Sequence, residues 1–158
     1  MHYRRLGKTE LKVSDIGFGA WQLGNNDQWG GMDDTTAHQL VAEALDRGCN
    51  LFDTAPNYAK TNSERLLGET LRGVRQNVVL VSKFGHKPEG GTDYSAEAFQ
   101  ESLHGSLERL KTDYLDVVLV HSPPLEVLNG QHPIWQAMKK AQTQNVLTVL
   151  NLSRAKKE

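Results

Sequence analysis

Short apolar runs alternate along the chain with stretches in which apolar residues recur every three or four positions. Residues 3–6 and 11–13 flank Gly7-Lys8-Thr9 and predict a hairpin. Ile16-Gly17-Phe18-Gly19-Ala20-Trp21 reads as a first core strand whose glycines suggest close packing or a bend. Asp33 or Asp34 can cap a helix with Ala37, Leu40, Val41, Ala44 and Leu45 on one face, and Gly48 can supply its left-handed stop. Residues 50–53 then form a short strand, and Ser63 can cap a second helix carrying Leu66, Leu67 and Leu71 and closed by Gly73.

The β-branched run at 78–81 predicts a strand buried on both faces. Ser95 can cap a third helix with Phe99, Leu103, Leu107 and Leu110 on one stripe, followed by a strand over 114–120. Pro133 suits the first turn of a fourth helix with Ile134, Trp135, Met138 and Ala141, and residues 146–150 read as a fifth strand. The polar tail 154–158 is expected to fray. Strand alternating with helix predicts a parallel sheet with right-handed crossovers, in one α/β domain spanning 1–158.

Composition adds limits. A length of 158 residues suits one domain, and the 38% hydrophobic share, about 44% once Tyr is removed and Gly added, lies just below the globular norm, which makes disorder and low complexity poor readings. The net charge of −1 gives no electrostatic case for nucleic acid or an anionic membrane as partner. A lone cysteine, Cys49, excludes an internal disulfide and a cysteine-based zinc site, fits a reducing compartment, and is read as an inert buried thiol; no metal site is expected. The N-terminus lacks the apolar core of a signal peptide, and no run approaches the roughly 20 residues that span a bilayer, so a cytoplasmic location is expected. Neither GxGxxG nor GxxxxGK[ST] occurs, which removes the two common phosphate-loop readings.

In parallel α/β sheets, function gathers at the carboxyl ends of strands. Here three apolar runs lead to Asp53, Lys83 and His121, and Tyr58 lies in the loop after Asp53. Each residue alone is well explained as the point where a strand exits to water. Together on one rim they form a chemical set. A phenol is a poor acid at neutral pH, an adjacent ammonium stabilises its phenolate, and a carboxylate holds that ammonium in place. A histidine alongside can donate a hydrogen bond to a carbonyl oxygen. The set suits protonation of an oxygen that gains negative charge, as when hydride adds to a carbonyl.

The stretches Arg5-Leu6-Gly7-Lys8-Thr9-Glu10-Leu11-Lys12-Val13-Ser14, Asn50-Leu51-Phe52-Asp53-Thr54-Ala55-Pro56-Asn57-Tyr58, Val81-Ser82-Lys83 and Ser106-Leu107-Glu108-Arg109-Leu110-Lys111-Thr112-Asp113-Tyr114-Leu115-Asp116-Val117 resemble the aldo-keto reductases. The resemblance covers about residues 1–144 and includes members that act on sugars and small aldehydes and the potassium-channel β subunits. It implies a (β/α)₈ TIM barrel, an NADPH cofactor (NADH as the alternative), and a small carbonyl or sugar substrate. It also implies roles: Tyr58 as proton donor, Lys83 as the ammonium beside it, Asp53 as partner of Lys83 and a ribose contact, and His121 orienting the carbonyl. Trp21 and Trp29 would line the substrate pocket, Trp29 being equally explicable as a loop-packing aromatic.

A whole barrel needs about 250 residues and eight strands. This chain supplies a hairpin, about four βα units and a fifth strand, a partial barrel. The family's Gly-x-Ser-Asn after the fifth strand is replaced by Leu150-Asn151-Leu152-Ser153-Arg154, so 145–158 reads as a divergent tail with Ser153 a candidate cofactor contact. Unpaired strands near Ile16 and Val146 would form the sheet edges, and self-association is one way to satisfy them. The leading expectation is an NAD(P)H-dependent oxidoreductase, with activity of the partial chain an open matter. The alternative is a non-catalytic cofactor-sensing or regulatory module like the channel β subunits.

Overall fold

A computed structural model describes residues 1–25 and 30–152. The N-terminal hairpin pairs β1 (Tyr3–Arg5) antiparallel with β2 (Lys12–Ser14), turning through Gly7 at φ +56°. Five strands then form one parallel sheet in chain order: β3 (Phe18–Gly19), β4 (Leu51–Asp53), β5 (Val79–Phe84), β6 (Leu115–Val120) and β7 (Leu147–Leu152). Between them run α1 (Asp34–Asp46), α2 (Asn62–Leu71), α3 (Ala96–Leu110), a single turn α4 (Leu125–Leu128) and α5 (Ile134–Thr143). Strand order equal to chain order is what successive crossovers of one hand produce. β3 and β7 are the sheet edges, as the sequence pattern predicts.

The helix ends follow local chemistry. Asp33 accepts from the Thr36 amide and Ser95 from the Ala98 amide, each satisfying an orphan donor of a first turn. Gly48 takes φ +84° just past α1. Ser63 departs from its expected role. It lies inside α2, fully buried, and its hydroxyl donates to the Ala20 carbonyl at 2.7 Å and pairs with Thr54 Oγ1 at 2.8 Å. Long-range hydroxyl partners outcompete the local amide that a cap would serve. The expected strand at 16–21 shrinks to Phe18–Gly19, with Ile16 68% exposed. The Leu51 side chain and carbonyl stand 3.1–3.3 Å from where a Cβ on Gly17 would lie, so glycine there permits the close approach to β4.

Alternate residues of β5 face two different layers. Leu80 and Phe84 join Phe52, Leu66, Leu67, Phe99, Leu110, Ile134 and Met138 in the core between sheet and helices. Val79 and Val81 pack on the other face with Val13 and Val117, and with the partly buried Leu6, Leu11, Leu51 and Leu119. The hairpin therefore covers the inner face of the sheet, and every residue of β5 is buried.

Two buried ionic networks tie the layers together. Glu64 of α2, fully buried, accepts from Ser82 Oγ of β5 at 2.6 Å and from Arg109 Nε of α3 at 2.8 Å. Below it, Asp116 of β6 accepts from Arg75 Nη2 at 2.8 Å and from the Leu80 amide at 2.9 Å. Arg75 also donates to Thr112 Oγ1 and to the carbonyls of Val78 and Tyr114, and its guanidinium lies 3.9 Å from the centre of the Tyr114 ring.

Candidate active site

Strand register decides which candidates meet. Asp53 pairs with Val81, and Lys83, two residues further on, pairs with Leu119, two residues before His121. Side chains alternate faces with period two, so Asp53, Lys83 and His121 all leave the inner face, on a diagonal at the carboxyl end of the sheet. The His121 amide still donates to the Phe84 carbonyl at 2.8 Å, so it continues the β5–β6 pairing past the end of β6.

Lys83 is 7% exposed and lies within β5 rather than beyond its end. Its Nζ donates to Asp53 Oδ1 at 2.5 Å and to the Thr54 carbonyl at 2.8 Å, and lies 4.8 Å from the centre of the Tyr58 ring. The ammonium is thus held by a carboxylate and a carbonyl and presented to the phenol. Asp53 keeps 39% of its side chain exposed, and Lys83 engages its Oδ1.

Tyr58 comes from a loop held in an uncommon conformation. It begins a 3₁₀ turn, Tyr58–Thr61, its amide donating to the Ala55 carbonyl at 3.1 Å. Ala59, Lys60 and Thr61 then take φ values of +48°, +51° and +77° in succession. Non-glycine residues there cost about 1–3 kcal/mol each, and such strain persists where surrounding contacts over-determine it. The buried Thr54–Ser63–Ala20 hydroxyl chain supplies those contacts by clamping the two ends of the loop together.

The Tyr58 ring meets the His121 ring edge-on at 6.0 Å and 84°. On its other side His121 stacks against His86 at 4.4 Å and 27°. Its pKa is lowered to about 4, first by burial and then by the charges of His86 and Lys83, so the ring is neutral near pH 7. Nδ1 is buried without a hydrogen-bond partner. A buried lone pair with no partner fits the tautomer that carries its proton on Nε2, which assigns any donor role to Nε2.

Trp21, 43% exposed, follows Ala20, whose amide donates to the Asp53 carbonyl, so it starts the loop at this same rim. Trp29 and Ser153 lie outside the described residues. A cavity of about 380 Å³ opens beside the rim between Pro56, Gly85 and His86 and the Ser95–Glu101 face of α3; Tyr58 and Lys83 do not line it. Among the described residues no three His, Cys, Asp or Glu side chains gather as a metal site would require, and no helix is long and apolar enough to cross a membrane. Sequence reasoning missed His86, although it stands three residues after Lys83 and so leaves the same strand end.

The profile of the Aldo/keto reductase family matches residues 15–146. The chain belongs to that family. L-galactose dehydrogenase of Arabidopsis thaliana is 42% identical over 121 residues, 75% of this chain and 37% of that protein. A probable voltage-gated potassium channel subunit beta of Oryza sativa subsp. japonica is 36% identical over 128 residues, 78% of this chain and 38% of that one. The holo form of an aldo-keto reductase from Bacillus halodurans superposes with a TM-score of 0.85 at 31% identity, over 97% of this chain and 50% of that structure. The chain thus spans half or less of the length of these relatives. Its five-stranded sheet is the matching part of an aldo-keto reductase barrel.

Proposed function

We propose that the chain carries the proton-transfer half of a nicotinamide-dependent carbonyl oxidoreductase, acting on an aldehyde, ketone or sugar. The observation that carries this reading is the Lys83 ammonium, held by Asp53 at 2.5 Å and facing the Tyr58 ring at 4.8 Å. A fixed positive charge beside a phenol stabilises phenolate, so Tyr58 can give up its proton to an oxygen that is becoming an alkoxide. His121, neutral, donates a hydrogen bond to the same oxygen and fixes the carbonyl's orientation. Trp21 covers the bound substrate from the first loop.

The residues present fit one end of a nicotinamide nucleotide. In this reading the second oxygen of Asp53 accepts from a ribose hydroxyl, which is supported by Lys83 engaging Oδ1 and by the 39% exposure of the Asp53 side chain. Bound NADPH, or NADH in its place, supplies the hydride that adds to the carbonyl carbon. Pairing of the β3 and β7 edges with a second copy of the chain is a further part of this reading, because among the described residues no strand pairs with the outer side of either edge.

The test has two arms. Nicotinamide fluorescence on titration with NADPH reports whether the cofactor binds, and oxidation of NADPH with a short aldehyde reports turnover. Tyr58→Phe is expected to lower turnover by about 10²–10⁴-fold at unchanged cofactor affinity. A loss under about threefold would remove Tyr58 from the role of acid. The resemblance to a channel β subunit supports a second reading, a cofactor-sensing module. Saturable NADPH binding with no turnover of any aldehyde tested would favour it.

A further inference from the structure

The eleven residues between β5 and α3 form a small braced excursion, not a slack connection. His86 and Thr92 form an antiparallel bridge, the Lys87 amide donates to the Gly91 carbonyl at 3.1 Å, and the Asp93 amide returns to the Gly85 carbonyl at 2.9 Å. Gly85, at φ +117°, sits directly under the Tyr94 ring, in contact that leaves no room for a Cβ. Tyr94 stacks edge-on with Phe84, and its hydroxyl donates to the carbonyls of His121 and Ser122 at 2.8 and 3.2 Å. The excursion is therefore bolted to the exit of β6, where His121 stands. From its base His86 projects a ring onto the His121 ring at 4.4 Å and 27°.

We infer that His86 is a positioning residue for His121: stacked between the braced 85–94 excursion and the catalytic rim, it fixes the plane of the His121 ring that meets the substrate carbonyl. Two features point this way. The His121 ring has no hydrogen bond on Nδ1 to hold it, so ring contacts with His86 and Tyr58 set its orientation. The backbone on both sides is independently fixed, by the Tyr94 hydroxyl and by the β5 pairing, so the stack has rigid support.

The stack also shapes the charge of His121. The groups that face it are Lys83 and His86 from β5 and its exit, and Tyr58 from the loop after β4; Asp53 faces Lys83, and Tyr94 meets the backbone carbonyl. A cationic His121 would sit against a second imidazole and an ammonium, in a half-buried position. His86 contributes both the cover and part of the repulsion.

The inference rests on the reading of His121 as the carbonyl-orienting group, and its test needs neither cofactor nor substrate. Imidazole ¹⁵N and ¹H resonances of the whole chain are followed through a pH titration, with His38 and His104 as internal controls and thermal unfolding as the check on folding. In the parent chain His121 is expected to titrate near pH 4. His86→Ala should raise that midpoint by about one unit or more toward the ordinary value near 6.5 and broaden or shift the His121 ring signals. His86→Phe keeps the cover and the stack and removes the charge and the polar ring atoms, so it should retain most of the depression and the ordered ring signals. A folded His86→Ala chain with unchanged His121 midpoint and ring signals would overturn the inference. So would His86→Phe behaving like His86→Ala. Loss of turnover in Tyr58→Phe, or its absence, leaves these outcomes untouched, so the two readings fail separately.

Discussion

Asp116→Ala should be among the most damaging single substitutions in this chain, although it touches no candidate catalytic group. Asp116 and Arg75 form an ion pair in which the side chains are 9% and 10% exposed. Removing one partner of a buried pair costs about 3–5 kcal/mol, because the other charge is left without its counter-ion in low dielectric. Here Arg75 keeps three neutral oxygen acceptors and the face of Tyr114, which pulls the cost to the lower end. The Leu80 amide, which also donates to Asp116, loses its acceptor and adds about 1–3 kcal/mol. The expected total is about 4 kcal/mol, a large share of the roughly 5–15 kcal/mol of a typical domain. Urea unfolding followed by tryptophan fluorescence measures it. Asp116→Asn, which keeps an oxygen for the Leu80 amide, should lose distinctly less. Arg75→Met combined with Asp116→Leu should lose less than the sum of the two single changes, since neither charge is then stranded. A loss under about 1 kcal/mol in Asp116→Ala, or strict additivity in the double variant, would refute the account. The consequence for function is geometric: Leu80 lies three residues before Lys83 on β5, so the network that anchors Leu80 also sets where the Lys83 ammonium stands.

Further outcomes follow from the same contacts. Lys83→Met should cost the fold only about 1 kcal/mol, since Asp53 is open to water, yet lower any aldehyde turnover about 10²-fold or more; unfolding with unchanged rate per folded molecule would make Lys83 structural instead. Gly68→Ala should destabilise by about 1–3 kcal/mol despite the better helix propensity of alanine, because its Cβ would run into the Arg109 carbonyl and the Leu110 backbone where α2 crosses α3; a raised melting temperature would contradict that crossing. His121, held at about pKa 4 against 6.5 when unfolded, takes its proton first in the unfolded chain as pH falls. Its contribution to stability is therefore whole above about 6.5, declines toward pH 4 and is level below; denaturant midpoints across this range should fall less steeply in His121→Asn, and equal slopes would count against a buried neutral ring.

The order of hairpin, strands and most helices was written in the sequence, because period-two and period-3.6 patterns and caps such as Asp33 and Ser95 are set by near neighbours. The single turn α4 carried too short a pattern to register. The residue types at the strand ends, Asp53, Lys83 and His121, with Tyr58 after the first, were equally legible, since a polar residue closing an apolar run is a local signal. What local pattern does not encode is which residues lie opposite one another. The two-residue stagger from Asp53 through Lys83 to His121 is a matter of register between strands some thirty to forty positions apart, and only packing of both sheet faces selects it. The same holds for Ser63, whose long-range hydroxyl partners displaced the capping role its sequence context suggested. The left-handed run at Ala59, Lys60 and Thr61 has no glycine to announce it and exists because tertiary contacts hold its ends. Buried Glu64, Arg75 and Asp116 look in the sequence like surface charges. Their partners arrive from other elements, and a charge is buried only where the whole fold brings a counter-charge to it.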